Sequence, residues 1–133
     1  HRGRDRTRIV RAVSVPRIGD PSAFRFTKAT RVAPKGAAIL SIAALVPQQG
    51  GRVAGARIAV SNMGPTPLRA AGAEPALEGQ PLNDDTIQRA AAAMLEGLSP
   101  ITDELASEWY RREVAPVHLK RLLQPGFGQG YGR

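Results

Sequence analysis

Three apolar runs in the first half of the chain predict β-strands. Residues 9–15 are rich in β-branched side chains, which suit a pleated surface, and Pro16 closes the run. Residues 24–29 alternate apolar with polar side chains, which is typical of a short strand with one apolar face. Residues 37–46 are apolar almost throughout, and this pattern predicts a strand that is covered on both faces.

A fourth run, residues 53–61, alternates again and predicts the partner of the third strand. The connection between them, residues 47–51, is short and contains two glycines, so we expect an antiparallel hairpin. Pro65 and Pro67 follow, and proline cannot donate a ladder hydrogen bond. We therefore expect the strand region to end at residues 64–67.

The second half of the chain has helical spacing. A short helix is predicted over residues 67–77, with Thr66 as its N-cap. The next helix is predicted to open near Asn83 or Asp84, where acceptors and negative charge suit a helix N-terminus, and to end at Gly97.

A third helix is predicted over residues 103–123, with Pro116 expected to kink or split it. Arg112 is expected to face solvent. The expected buried side of this helix consists of Leu105, Trp109, Val114, Val117, Leu119, Leu122 and Leu123.

Strands followed by helices predict an α+β fold: a two-layer sandwich with an antiparallel sheet of three or four strands, followed and covered by three helices. The length of 133 residues suits one domain. We expect residues 1–8 to be a flexible basic lead-in, residues 9–123 to form the domain, and residues 124–133 to be a glycine-rich tail.

Composition narrows the possible chemistry. The chain has no cysteine, which excludes disulfides and cysteine-held zinc or iron–sulfur sites within it and fits a cytoplasmic protein. His1 and His118 lie far apart in sequence, so we expect no metal site. No apolar run approaches the length of a membrane span, and we expect none.

The net charge of +8 would suit nucleic acid or an acidic partner, and it is concentrated near the start of the chain. A basic arm of this kind is more often solvated, or a domain junction, than a reader of bases. We therefore expect no nucleic acid, but a basic nucleic-acid-binding module or a structural interaction module stays open as an alternative.

Few residues suggest catalysis or cofactor binding. The glycines of residues 126–130 follow a predicted helix, whereas a phosphate loop follows a strand and opens a helix. Lys28 and Arg31 follow the aromatic pair Phe24 and Phe26. Taken alone they are more simply solvated charges at a strand end, and the other interpretation is a cationic spot facing an anionic cofactor.

From about residue 9 to residue 123, the chain resembles the medium subunits of the xanthine oxidase and carbon monoxide dehydrogenase (molybdenum hydroxylase) family. No single motif is decisive, and the collinear series is what identifies it. The series consists of residues 26–31 before the apolar strand 37–46, residues 51–60, residues 64–70, Glu74 with residues 76–77, residues 79–82, and residues 107–112 through Pro116 to residues 120–123.

The resemblance implies the C-terminal domain of the FAD-containing subunit, which encloses the flavin side while electrons pass from iron–sulfur clusters to an acceptor. A lysine in the position of Lys28 contacts the cofactor in some members, and Phe26 and Arg31 are weaker candidates. The implied partners are the N-terminal FAD-binding domain and subunits that carry the molybdenum cofactor and 2Fe-2S clusters.

Two departures from the family pattern matter. Val32, Pro34 and Lys35 stand where the family usually has a further basic and an acidic residue. The FAD-binding domain, with its glycine-rich pyrophosphate loops, is not in this chain, so we expect weak or no FAD binding by the chain alone. We also expect it to be part of an oxidoreductase rather than catalytic in isolation.

Overall fold

Strands precede the helices in the computed structural model, which describes residues 9–32 and 35–126. The strands are β1 (Phe24–Thr30), β2 (Ala38–Leu45), β3 (Gln48–Gln49), β4 (Arg52–Val53), β5 (Arg57–Ser61) and β6 (Leu68–Arg69). Four of them form an antiparallel sheet in the order β1-β2-β5-β6, and β3 pairs with β4 in a separate small hairpin.

Three helices follow: α1 (Ala73–Leu77), α2 (Asp84–Ala93) and α3 (Glu108–Leu123). Side-chain caps fix the start of the two longer helices, since Asn83 accepts from the Thr86 N–H and Ser107 accepts from the Tyr110 N–H. The predicted α+β architecture, an antiparallel sheet followed by three helices, is confirmed.

The core lies between one face of the sheet and the helices. Alternate residues of β2 and β5 are fully buried there, among them Leu40, Ile42 and Ile58. The helices contribute aliphatic side chains, and Met63 and Met94 pack against the core from the residues just after β5 and α2. The buried hydrophobic residues include no aromatic ring. At the far end of this layer, Arg25 of β1 donates to the carbonyl oxygen of Leu123, at the C-terminus of α3, at 2.6 Å.

The strand predicted over residues 9–15 is absent. The segment pairs with no strand in the described chain, and Ile9 is 96% and Val13 78% exposed. β-Branched side chains favour an extended backbone, but a strand exists only where a neighbouring edge accepts its hydrogen bonds. The prediction for β2 also needs correction, because its second face is only half-buried.

The helix predicted over residues 67–77 begins later, at Ala73. Leu68 and Arg69 instead form β6, paired with Val60 and Ala59, so the strand region does not end at residues 64–67. Thr66 is therefore not the N-cap, and Gly72 precedes the helix without a side-chain cap. Tertiary pairing overrides a local helix signal here.

The third helix begins at Glu108 rather than Asp103, and it is one helix across Pro116 rather than two. Its predicted buried side is partly wrong, because Trp109 is 69% and Val117 45% exposed. Leu119, Leu122 and Leu123 are buried as expected.

Arg111 takes the interior place that hydrophobicity would have given to Trp109. It is fully buried, and it donates to the carbonyl oxygens of Ile39 at 3.0 Å, Ala106 at 3.3 Å, and Ile101. Its Nη2 nitrogen donates to both carboxylate oxygens of Asp103, at 2.7 and 2.8 Å. A guanidinium can be buried when all of its N–H groups find acceptors, as they do here.

Some predictions fall on residues that the structure does not describe. The basic lead-in, residues 1–8, and residues 127–133 of the predicted tail lie outside the described residues. Within residues 9–32 and 35–126, no helix combines the length and apolar character needed to cross a membrane.

Candidate functional site: the open face of the sheet

No helix within residues 9–32 and 35–126 covers one face of the four-stranded sheet, and we call it the open sheet face. The strand register arranges its side chains in three rows. The rows are Phe24, Leu45 and Arg57; Phe26, Ala43, Ala59 and Arg69; and Lys28, Ser41 and Ser61.

The middle row forms a flat apolar shelf. Phe26 is 56% exposed, and the next two positions across the sheet are Ala43 and Ala59, whose methyl groups stand low. Neighbouring strands are about 4.8 Å apart, so the two alanines leave a shallow step about 10 Å wide beside the phenyl ring. A planar ring could lie on this step with one edge against Phe26.

The third row gives the shelf a polar border. The Ser41 and Ser61 hydroxyls are 2.6 Å apart, and Ser61 Oγ also accepts from the Ser41 N–H at 3.2 Å. Whichever hydroxyl donates in this pair, the hydrogen of the other is left for a further acceptor. Lys28, exposed at the end of the row, adds an ammonium group with its own donors.

Two arginines lie on other sides of the shelf: Arg57 in the row opposite the serines, and Arg69 at the β6 end of the middle row. Glu74 of α1 holds Arg69 by two hydrogen bonds of 2.6 Å and also accepts from the Ile58 N–H at 2.8 Å, which ties α1 to both β5 and β6. Burial works to raise the pKa of Glu74, but the hydrogen bonds from Arg69 and Ile58 and the charges of Arg69 and Arg57 outweigh it. The pKa of Glu74 is therefore lowered, and the carboxylate stays ionised.

The open sheet face therefore combines a flat apolar centre with cations and hydroxyl donors on its borders. This chemistry suits a planar molecule that has a polar, electron-rich edge, or an acidic protein surface. Within the described residues, no group of three or more His, Cys, Asp or Glu side chains is arranged to hold a metal ion.

The three residues predicted from the sequence do not form one cluster. Phe26 and Lys28 share the open sheet face, in adjacent rows. Arg31 lies beyond the end of β1 and lines a different cavity of about 530 Å³, which we call the end groove. The residues lining the end groove include Thr30, Arg31, Ile39, Ser107, Trp109 and Tyr110, but neither Phe26 nor Lys28.

The sequence left other members of this face unidentified. Arg57 and Arg69 are not part of the predicted site because their places depend on strand register, and the helix predicted over residues 67–77 includes Arg69. The signal that was available is the two-residue spacing of Phe24, Phe26 and Lys28, which puts all three on one face of β1.

The residues of this face lie within a family match. The model of the CO dehydrogenase flavoprotein C-terminal domain matches residues 24–125, which include all of the sheet and the three helices. The glyceraldehyde dehydrogenase medium chain of Sulfolobus acidocaldarius is 31% identical over 80 residues, or 60% of this chain and 28% of that protein.

Solved structures match the fold as well. A carbon monoxide dehydrogenase from Hydrogenophaga pseudoflava has 32% sequence identity and a TM-score of 0.69, and the match covers 76% of this chain and 35% of that chain. Quinoline 2-oxidoreductase from Pseudomonas putida 86 has 29% identity and a TM-score of 0.69, with the same coverage of 76% and 35%. This chain thus spans about a third of the length of these relatives.

Proposed function

Because the chain belongs to the family of CO dehydrogenase flavoprotein C-terminal domains, we propose that it completes the FAD-containing medium subunit of a molybdenum hydroxylase. In that subunit it encloses the flavin side while electrons pass from iron–sulfur clusters to an acceptor. The observation that carries this proposal is the open sheet face, on which Phe26 and Lys28 stand exposed beside an alanine shelf. Among the described residues, no helix covers this face.

The residues of the shelf fit the ring part of FAD. Phe26 would contact the ring system, and Ala43 and Ala59 would let it approach the sheet closely. Lys28 would donate to the polar edge of the ring, where its positive charge would stabilise negative charge. When bound, FAD supplies the capacity to accept and pass on electrons, and the role of this face is to orient the ring and exclude water.

The fit does not extend to the pyrophosphate. Gly50 and Gly51 have positive φ angles but lie in the turn between β3 and β4, and no helix N-terminus follows them. A phosphate site needs several convergent N–H groups or a helix N-terminus. Because this turn lacks them, we expect the phosphate contacts to come from another stretch of polypeptide, and FAD to bind weakly or not at all to this chain alone. Arg31 stays a weaker candidate, since it lies in the end groove.

The partners in this proposal are the N-terminal FAD-binding domain and the subunits that carry the molybdenum cofactor and the 2Fe-2S clusters. The assembly is a cytoplasmic oxidoreductase, and the domain contributes to it without being catalytic in isolation. The basic borders of the open sheet face, with Lys28 and Arg57, suit acidic neighbours at these contacts.

The test has two parts. The polypeptide that contains this chain is purified with an affinity tag from the cells that make it, and its FAD, molybdenum and iron are measured per mole. We expect all three to co-purify in constant ratios. A stable complex that holds neither flavin nor molybdenum would contradict the proposal.

The second part is equilibrium dialysis of FAD against the 133-residue chain. We expect no stoichiometric retention of FAD. Tight binding of one FAD per chain would show that the phosphate contacts lie within this chain after all, and the division of the flavin site proposed above would be wrong.

A further inference from the structure

Every aromatic side chain in the described part of the chain lies at the surface. Phe24 and Phe26 belong to the open sheet face, whereas Trp109 and Tyr110 line the end groove and are 69% and 42% exposed. An exposed tryptophan beside a tyrosine and an arginine is the composition that dominates binding energy at protein interfaces. The aromatic side chains of the end groove therefore belong to a surface that is separate from the one proposed to lie against the flavin.

Hydrogen bonds within the domain hold the wall of the end groove in place. Beneath it, Arg111 joins the segment Ile101–Ala106 to the start of β2 through hydrogen bonds to Ile39, Ile101, Ala106 and Asp103. Thr102 Oγ1 further accepts from the Glu108 N–H at 2.9 Å. A wall that is already ordered loses little conformational entropy when it binds.

The charge of the end groove is one-sided. Arg31 is the charged side chain among its lining residues, and the lining includes no carboxylate. Two acidic residues nearby are paired within the domain, Asp103 with Arg111 at 2.7 Å and Glu108 with Arg112 at 2.9 Å. Glu104 precedes the lining residue Leu105 but is not itself part of the lining. A guanidinium beside apolar side chains is complementary to a carboxylate that has an aliphatic neighbour.

We infer that the end groove is a docking site for a segment of a partner protein in which an acidic side chain stands beside aliphatic ones. The carboxylate pairs with Arg31, and the aliphatic side chains cover Trp109 and the apolar wall at Ile39. A single guanidinium without a cluster of backbone N–H groups is a weak phosphate site but sufficient for a carboxylate. The inference does not depend on the proposed function.

Trp109 is the sole tryptophan of the chain, so its fluorescence reports directly on the groove. The probe is the peptide acetyl-Ala-Leu-Asp-Leu-Ala-amide, titrated into the 133-residue chain, with the Asn analogue of the peptide as its control. We expect a saturable blue shift with the Asp peptide at millimolar concentration and an affinity about tenfold lower for the Asn peptide.

The matched variants are Arg31→Gln and Arg121→Gln, both at exposed arginines, the second on α3. We expect Arg31→Gln to weaken the Asp peptide about tenfold and to abolish its advantage over the Asn peptide, while Arg121→Gln has no effect. Calorimetric titration of Trp109→Ala, whose circular dichroism confirms folding, is expected to show loss of binding.

Three outcomes would overturn the inference. The first is no saturable response to the Asp peptide, or an equal response to both peptides. The second is tighter binding of inorganic phosphate or ATP than of the peptide, with the same dependence on Arg31, which would assign the groove to a small anion. The third is dimerisation of the chain in sedimentation velocity that Trp109→Ala abolishes, because a second copy would then be the occupant.

Discussion

The two faces of strand β2 differ in how deeply their side chains are buried. On the covered face, Leu40, Ile42 and Ala44 are completely buried against helices and neighbouring strands. On the open face, Ser41 and Ala43 are half-buried and border the exposed Phe26 and Lys28 of β1. Consecutive residues of one strand therefore serve stability on one side and contact on the other.

Aromatic residues sharpen this contrast. The core is built from aliphatic and methionine side chains, whereas all aromatic side chains in residues 9–32 and 35–126 are exposed. Aromatic rings usually contribute much of a core's buried area. Here the fold does not depend on them, which makes their surface positions informative about binding. Substitutions on the two faces should consequently affect different measurements.

The largest loss of stability is expected for Arg111→Ala, on the covered side. The substitution leaves the carbonyls of Ile39, Ile101 and Ala106 without their donor and creates a cavity. We expect the free energy of unfolding to fall by about 4 kcal/mol, measured by urea denaturation. The control Arg112→Ala removes only a surface pair and should cost about 0.5 kcal/mol. Equal effects of the two substitutions would contradict the role given to Arg111.

Ile42→Ala is expected to cost about 3 kcal/mol, because it opens a cavity in a fully buried site. Val117→Ala serves as a surface control, since Val117 is 45% exposed on α3, and this smaller truncation should cost less than about 1 kcal/mol there. Urea denaturation measures both. A larger effect at Val117 than at Ile42 would mean that the assignment of the buried side is wrong.

Acid should weaken the fold through Glu74 and Asp103. The hydrogen bond from Arg111 lowers the pKa of Asp103, and the hydrogen bonds and charges described above lower that of Glu74. A carboxyl whose pKa is lower in the folded state stabilises the fold at neutral pH, and this contribution is lost as pH falls below about 4, towards the folded pKa.

The urea midpoint is therefore expected to drop between pH 6 and pH 3. Glu74→Gln should make that drop smaller, whereas Glu96→Gln, at an exposed residue, should not change it. An unchanged pH dependence in Glu74→Gln would show that this carboxylate does not stabilise the fold through its ionised form.

The smallest effects on stability are expected at the open sheet face. Phe26→Ala and Lys28→Gln remove side chains that are exposed in the domain, so the free energy of unfolding should change by less than about 1 kcal/mol. Thermal unfolding followed by circular dichroism tests this. A loss comparable to that of Ile42→Ala would mean that these residues serve the fold rather than a partner.

Much of the sheet could be predicted from sequence because β1 and β5 alternate with period two and β2 is a nearly continuous apolar run of strand length. The failures have physical causes. Residues 9–15 have strand propensity but pair with no strand in the described chain, and β6 forms because β5 offers it an edge; local sequence reveals neither outcome. Arg111, rather than the expected Trp109, lies on the buried side of α3 because other segments of the chain supply carbonyl oxygens for its N–H groups.

The candidate site was predictable only in part. Phe26 and Lys28 could be placed on one face from their spacing alone. Arg57 and Arg69 join that face only through strand register. Arg31 does not share the face with Phe26 and Lys28, because β1 ends at Thr30. Resemblance to the family suggests Lys28, but the alanine shelf beside it depends on strand pairing, which the sequence does not show.

The central claim is that the open sheet face lies against FAD in the complete flavoprotein subunit. Its most direct test is the visible absorption spectrum and FAD content of the subunit that contains this chain, after Phe26→Ala and Lys28→Gln, with Arg121→Gln as the control. We predict a shifted flavin band and loss of FAD on dialysis in the first two variants, and no change in the control. Unaltered spectra and full FAD retention in both variants would contradict the claim.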